Sequence, residues 1–185
     1  MVIQRVRSFK LLGVIIEDNL KWDNHVDSIC KKASSRLYFL KVLKHSSVSA
    51  IDMLHFYKTA IIPVLEYACP AWHNSLTTEQ SYRIEIESIR KRAIKIIFGP
   101  GDYSDICMKH NLPSLASRRT EICISFFKNS VIKENSSLHY LLPEPRGEET
   151  EKLRRFMPFI PQTTRTTRFQ RSYIIYALNN YQDVL

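Results

Sequence analysis

The spacing of apolar residues between positions 24 and 44 restricts the fold of this chain more than any other feature. One set recurs at steps of three or four residues and therefore shares one helix face: Val26, Ile29, Ala33, Leu37 and Leu40. Asn24 is a suitable N-cap, because its side-chain oxygen can accept a hydrogen bond from the first turn. The pattern predicts an amphipathic helix from Asn24 to about Lys44.

A second helix is predicted from Ser49, because Ser49 and Asp52 have the spacing of a capping box. Pro63 lies inside this segment. Proline removes a backbone donor and its ring clashes with the preceding turn, so we expect a kink near Ile62 or two abutting helices. The segment is apolar on almost every side, which predicts a buried central position.

Further helices are predicted from Thr77, which caps a helix that ends at Gly99-Pro100, and from about Leu115 to Ile132. The branched residues of Val14–Ile16 favour a short strand in a small N-terminal β-hairpin. The end of the chain, with its prolines, favours an extended arm followed by a short helix at residues 172–180.

Composition supports a folded chain with an anionic partner. The 185 residues include 27 Lys+Arg and 18 Asp+Glu, a formal charge of +9, and 44% are hydrophobic, which argues against intrinsic disorder. Only four glycines argue against a turn-rich barrel or sandwich. Basic residues occur in blocks, and such blocks commonly face phosphates. No stretch is long enough to cross a bilayer, so we expect an intracellular protein that does not act at a membrane.

The residue pattern offers little catalytic chemistry. Two-metal polymerases and nucleases need clustered carboxylates, and the sequence contains no Asp-Asp or Asp-x-Asp pair. Cys107, His110, Cys123 and His139 resemble part of a zinc finger, but the last spacing is too long, so small core cysteines are the better interpretation. We therefore expect no metal, no cofactor and no catalytic residue on this chain.

The arm carries three arginines interleaved with aromatic residues: Arg165, Arg168 and Arg171. Arginine can fork to phosphate and aromatic rings can stack on bases, a pairing that holds single-stranded nucleic acid. The alternative is that the aromatic residues anchor the arm to the helical body while the arginines point to water. The sequence leaves both readings open.

Ordered blocks along nearly the whole chain resemble the region that follows the polymerase palm in non-LTR retrotransposon (LINE, jockey-like) reverse transcriptases. The first block is the KLLGV segment at positions 10–14 with Asp18, Leu20, Trp22 and His25, and later blocks lie at 56–58, 63–68, 118–119 and 165–169. Two positions depart from that pattern: Ile62 precedes the proline where Arg is common, and Arg90 stands where Gln is common.

The resemblance implies a mainly α fold, a helical thumb-like bundle with palm-derived strands at its start and an extended arm at its end. The implied segments are residues 1–22 from the palm and primer grip, 23–100 as the thumb, 101–147 as a helical extension and 148–185 as the arm. The family's catalytic aspartates, with their Mg²⁺, and its endonuclease would lie upstream, so the chain would be a non-enzymatic fragment of an RNA-directed DNA polymerase.

The function expected from the resemblance is sequence-nonspecific binding of RNA, DNA or an RNA–DNA primer–template duplex. The alternative is an inert structural remnant that self-associates or docks on a separate palm polypeptide. The predicted nucleic-acid contacts are basic: Lys31, Lys32, Arg36, Arg90, Lys91, Lys95, Arg165, Arg168 and Arg171. The motif residues expected to have structural roles are Gly13, Trp22, His25, Pro63, Glu66, Tyr67, Trp72 and Gly99.

Overall fold

The computed structural model describes residues 5–76, 81–146 and 158–182. It is mainly helical with a two-stranded antiparallel N-terminal sheet, which confirms the predicted fold class. The chain forms two compact units, the first made of residues 1–68 and 76–118 and the second of residues 69–75 and 119–185. The predicted division into four segments stays a prediction.

A tight hairpin opens the first unit. Strand β1 (Ser8–Leu11) pairs with β2 (Val14–Glu17), and the two residues between them have positive φ angles, 47° at Leu12 and 87° at Gly13. Positive φ angles at both central residues are typical of the two-residue hairpin turn whose twist matches that of the strands. Gly suits the second of these positions. The Tyr67 hydroxyl donates to the Leu12 carbonyl over 2.6 Å and its ring lies against Gly13, which ties the hairpin to the helices.

Two long helices form the core of the first unit. Helix α1 (Asp23–His45) buries the predicted apolar stripe, so that prediction is confirmed. Helix α5 (Ser81–Phe98) packs along it in the same direction, because Asp27 and Glu85 line one groove near the helix starts, whereas the Lys44 ammonium donates to the Ile97 carbonyl at the ends. The predicted cap of α5 at Thr77 and Gln80 lies outside the described residues.

The proline-containing segment changes helix type before Pro63. Helix α2 (Ala50–Phe56) begins after Ser49, whose hydroxyl accepts from the Asp52 amide over 3.2 Å, as the capping box predicts. A π-helical turn at Tyr57–Ile61 then leads into α3 (Ile62–Glu66), which contains Pro63. The wider turn accommodates the proline ring and its missing N–H, and it lies where the sequence predicts either a kink near Ile62 or two abutting helices.

The remainder of the first unit is short. Helix α6 (Tyr103–Lys109) starts at Asp102, whose carboxylate accepts from the Asp105 amide over 3.0 Å. Helix α7 (Leu115–Phe126) passes from the first unit into the second and continues into a π-helical turn at Phe127–Val131, close to the predicted extent.

The second unit packs around aromatic residues. Its other elements are α4 (Cys69–Trp72), single 3₁₀ turns at His73–Ser75 and His139–Leu141, α8 (Thr167–Gln170) and α9 (Tyr173–Asn180). Trp72, Phe127 and Tyr181 are buried in its core. The buried Arg119 guanidinium lies 5.6 Å from the centre of the Trp72 ring and donates to His73 Nδ1. The aromatic ring and the imidazole nitrogen both stabilise its positive charge.

The arm follows the predicted outline where it is described, although residues 148–157 lie outside the described residues. Phe159 is buried, and its amide donates to the Gln182 side-chain oxygen over 2.7 Å. The extended stretch after it ends at α8, and α9 confirms the predicted terminal helix. Within the described ranges, no helix is both long and apolar enough for a bilayer crossing.

We expect Gly99→Ala to lower the free energy of unfolding by about 1 kcal/mol, because Gly99 has a φ of 83° at the end of α5 and an L side chain is strained there. No atom lies within 4 Å of the added Cβ, so strain is the sole cause of the loss. Urea unfolding measures the effect. Gly99→Asn is the matched control, because it also adds a side chain at this position but Asn tolerates a positive φ better than Ala does; an equal loss in both variants would contradict the explanation.

Candidate nucleic-acid interface

One side of α1 presents chemistry that the core does not use. Opposite the buried stripe lie six side chains, which together we call the outer face of α1: Lys31, Lys32, Ser35, Tyr38, Phe39 and Val42. All six are exposed. Because a helix repeats every 3.6 residues, these positions follow one another along a single side, with the lysines about 10 Å from the aromatic pair.

The aromatic pair is the unusual part of this face. Tyr38 is 65% exposed and Phe39 is 56% exposed, and their ring centroids lie 5.8 Å apart with the rings nearly perpendicular. Val42, one turn further on, extends the apolar surface. Sequence reasoning missed Tyr38 and Phe39 as site residues, although both fall outside the buried stripe. Large rings at outward helical positions were the available signal.

The basic residues predicted on α1 have different roles. The Lys31 ammonium is 3.0 Å from the Asp27 carboxylate, and this hydrogen bond raises the pKa of Lys31. The pair is largely exposed, so it adds little stability and leaves the lysine accessible. Lys32 is exposed, whereas the Arg36 guanidinium donates to the Ala60 carbonyl in the π-helical turn. Arg36 therefore has a structural contact in addition to its exposed surface.

The prediction that Arg90 contacts nucleic acid is wrong. Arg90 is 5% exposed, and one of its terminal nitrogens donates to the Leu112 carbonyl over 2.6 Å. The other donates to the Tyr103 hydroxyl and lies 3.4 Å from the Glu87 carboxylate. Arg90 belongs to the inner side of α5, because position 90 follows buried Ile86 by four residues.

The network around Arg90 joins three elements. Glu87 receives a second hydrogen bond, 2.9 Å long, from the Leu115 amide at the start of α7. Burial raises the pKa of Tyr103 to about 12, so its hydroxyl stays neutral and accepts from the guanidinium. The two neighbouring lysines that were predicted with Arg90, Lys91 and Lys95, are exposed.

In the second unit, the described part of the arm has one feature expected of an anchored arm and another expected of a nucleic-acid contact. Phe159 is buried and anchors the extended stretch, and the Tyr173 hydroxyl donates to the Cys123 carbonyl over 2.6 Å. Phe169 instead remains half exposed. Arg165 and Arg168 are exposed and Arg171 is half-buried, so the three arginines stay predicted contacts.

Most predicted motif residues have identifiable packing roles. The Arg118 guanidinium holds the Glu66 carboxylate with two hydrogen bonds of 2.6 and 3.0 Å, and this pair joins α3 to α7 inside the first unit. Trp22 packs edge-to-face on His25 at 6.1 Å between centroids. Gly99 ends α5, and Trp72 is buried in the second unit. These contacts explain the residues by folding alone.

His25 links the hairpin to α1. It is buried, and its Nδ1 accepts a 3.3 Å hydrogen bond from the Ile15 amide of β2. Burial lowers the pKa of His25, and the nearby positive charge of Lys32 lowers it further. The neutral imidazole is therefore the form that the folded chain favours.

The residues that resembled part of a zinc finger have separate contacts. The Cys107 thiol lies 3.4 Å from an Arg90 nitrogen, and the His110 ring stacks on Phe98 at 4.2 Å. Cys123 is buried in the second unit, and Cys69 and burial raise its pKa. Across the described ranges, no three His, Cys, Asp or Glu side chains cluster as metal ligands would.

Comparison with known proteins gives one partial match. The family model described as "Alkylated DNA repair protein alkB homolog 8, N-terminal" matches residues 22–62, which is less than half of the chain. The matched segment contains all of α1 and α2. No curated protein and no solved structure matches the chain.

This match corrects the predicted family. Trp22, His25 and residues 56–58 carried part of the resemblance to non-LTR reverse transcriptases, and all lie in a segment that matches a different family. The assignment as a reverse transcriptase fragment, with a thumb and a missing palm, is therefore wrong. Trp22 and His25 pack on each other, so both have a structural role within this chain.

We expect Arg90→Met to lower the free energy of unfolding by about 3 kcal/mol, because the substitution leaves the Leu112 carbonyl and the Glu87 carboxylate without this donor. Urea unfolding provides the measurement. Arg92→Met removes an exposed arginine from the same helix and is the matched control, with a change near zero. Similar stability of the two variants would show that the buried network is not important.

We also expect His25→Asn to make stability less dependent on pH. The folded-state pKa of His25 is lowered, so its contribution is complete above about pH 6.5 and is lost as the pH falls below that value. Asn keeps an acceptor for the Ile15 amide but does not titrate. Urea midpoints at pH 7.5 and 5.5 should differ more in the unmodified chain than in the variant; equal differences would exclude the effect.

Proposed function

We propose that this chain is a non-enzymatic module that binds single-stranded RNA or DNA through the outer face of α1. Bases stack on Tyr38 and Phe39, and the Lys31 and Lys32 ammonium groups contact the phosphates. The observation that carries the proposal is the exposed aromatic pair on the same helix side as two accessible lysines. An ordinary solvated helix face has no need for two adjacent rings.

Charge and family similarity support the same partner. The formal charge of +9 favours a polyanion, and neutralised phosphates release counterions. The matched family model is described as an alkylated DNA repair protein, which by its name acts on DNA, and the match includes the whole outer face of α1. Flexible single strands can present splayed bases to an exposed ring pair, whereas bases in a duplex are already stacked.

The main test replaces the two rings. We expect Tyr38→Ser with Phe39→Ser to weaken binding of a fluorescently labelled single-stranded 15-mer by at least about tenfold, because each base–aromatic stack contributes about 1–3 kcal/mol. Fluorescence anisotropy measures the dissociation constant. Ile51→Ser is the matched control, because it also removes an exposed apolar side chain but lies on α2.

A second experiment tests the phosphate contacts separately from base stacking. Lys31→Gln with Lys32→Gln should reduce the slope of log affinity against log salt by about 1.4, since each single-strand phosphate contact contributes about 0.7. Unchanged affinity after loss of both rings would contradict the proposal. If Tyr38→Ser with Phe39→Ser abolished self-association of the chain without a change in nucleic-acid affinity, the face would bind a second copy of the chain instead.

A further inference from the structure

A cavity of about 430 Å³ opens beside the end of α5 and is independent of the outer face of α1. Its walls are mainly apolar and come from Ile94, Tyr103, Ile106 and the Gly99–Gly101 turn, all in the first unit. This volume lies in the range of small-molecule sites, which are concave, mostly apolar and completed by a few polar groups.

Two lysines supply the polar groups. Lys91 and Lys95 line the same cavity, and because they are four residues apart they project from one side of α5. The Lys91 ammonium lies 5.5 Å from the centre of the Tyr103 ring. In the part of the chain that the structure describes, neither lysine forms an ion pair with a carboxylate, so both ammonium groups are available to an anion.

The surrounding groups hold this arrangement in place. Arg90 donates to the Tyr103 hydroxyl, and its guanidinium carbon lies 5.2 Å from the centre of the ring, so these contacts hold the ring in the wall. Glu87, four residues before Lys91, is the nearest carboxylate in sequence, and it accepts from Arg90 and from the Leu115 amide. Asp102, on the other side of the cavity residues, accepts from the Asp105 amide and caps α6. A Cβ added at Gly101 would lie only 3.3 Å from the Ile106 side chain. The absence of a side chain at Gly101 therefore lets the turn lie close to the apolar wall.

We propose that this cavity binds a nucleoside monophosphate, with the base against Tyr103, Ile94 and Ile106 and the phosphate between Lys91 and Lys95. A flat base matches an apolar wall that includes an aromatic ring, and a phosphate dianion matches two adjacent ammonium groups. The same chemistry is present in a free mononucleotide and in the 5′-phosphorylated end of a strand.

Isothermal titration with AMP, adenosine and a 5′-phosphorylated trinucleotide tests the site. Lys91→Gln with Lys95→Gln should raise the dissociation constants of the phosphate-containing ligands by at least about tenfold. The affinity for adenosine, which is lower from the start, should not change. Ile106→Trp fills the cavity and should weaken all three ligands. Lys109→Gln with Lys10→Gln is the matched control, because these exposed lysines lie outside the cavity.

The outcomes distinguish the sources of the ligand. AMP binding that depends on the two lysines identifies a free mononucleotide as sufficient, and lysine-dependent binding of the trinucleotide alone identifies a strand end. Absence of binding by both phosphorylated ligands, or binding that the lysine pair does not affect, would overturn the proposal. The cavity variants leave Tyr38 and Phe39 intact, so their 15-mer affinity reports separately on the outer face of α1.

Discussion

The buried Arg90 guanidinium determines how the first unit is assembled beyond its two long helices. It contacts the Tyr103 hydroxyl on α6 and the Leu112 carbonyl before α7, and Glu87 extends the network to the Leu115 amide. A buried charge is costly unless its hydrogen bonds are satisfied, so these partners must take up fixed positions together. The place of Tyr103 in the cavity wall depends on that constraint.

The helical elements could be predicted because each depends on local sequence. The stripe from Val26 to Leu40, the Ser49 cap and Pro63 act over one or two turns. The structure has helices where the stripe and the cap predict them and a π-helical turn just before the proline. Arg90 shows where such reasoning fails. Its own segment is strongly basic, but its burial depends on Tyr103 and Leu112, whose positions are set by the tertiary fold.

The candidate sites show the same division between local and tertiary information. Tyr38 and Phe39 lie outside the apolar stripe, so periodicity alone places them at the surface. The sequence prediction was based on positive charge and therefore named only lysines and arginines. The cavity beside α5 could not be inferred from sequence, because the turn after Gly99 and the packing of Ile106 create it. The family interpretation failed at residues such as Trp22 and His25, which pack on each other and lie in the segment that matches a different family model.

The chain path has a consequence for the order of synthesis. Residues 69–75 leave the first unit and belong to the second, whose remaining residues begin at position 119. Trp72 therefore emerges from the ribosome well before Arg119, whose guanidinium lies 5.6 Å from the centre of its ring. At roughly 5–20 residues per second, synthesis from position 72 to position 119 takes about 2–9 s. During that time the large indole of Trp72 has no guanidinium partner, and the first unit itself becomes complete only at residue 118.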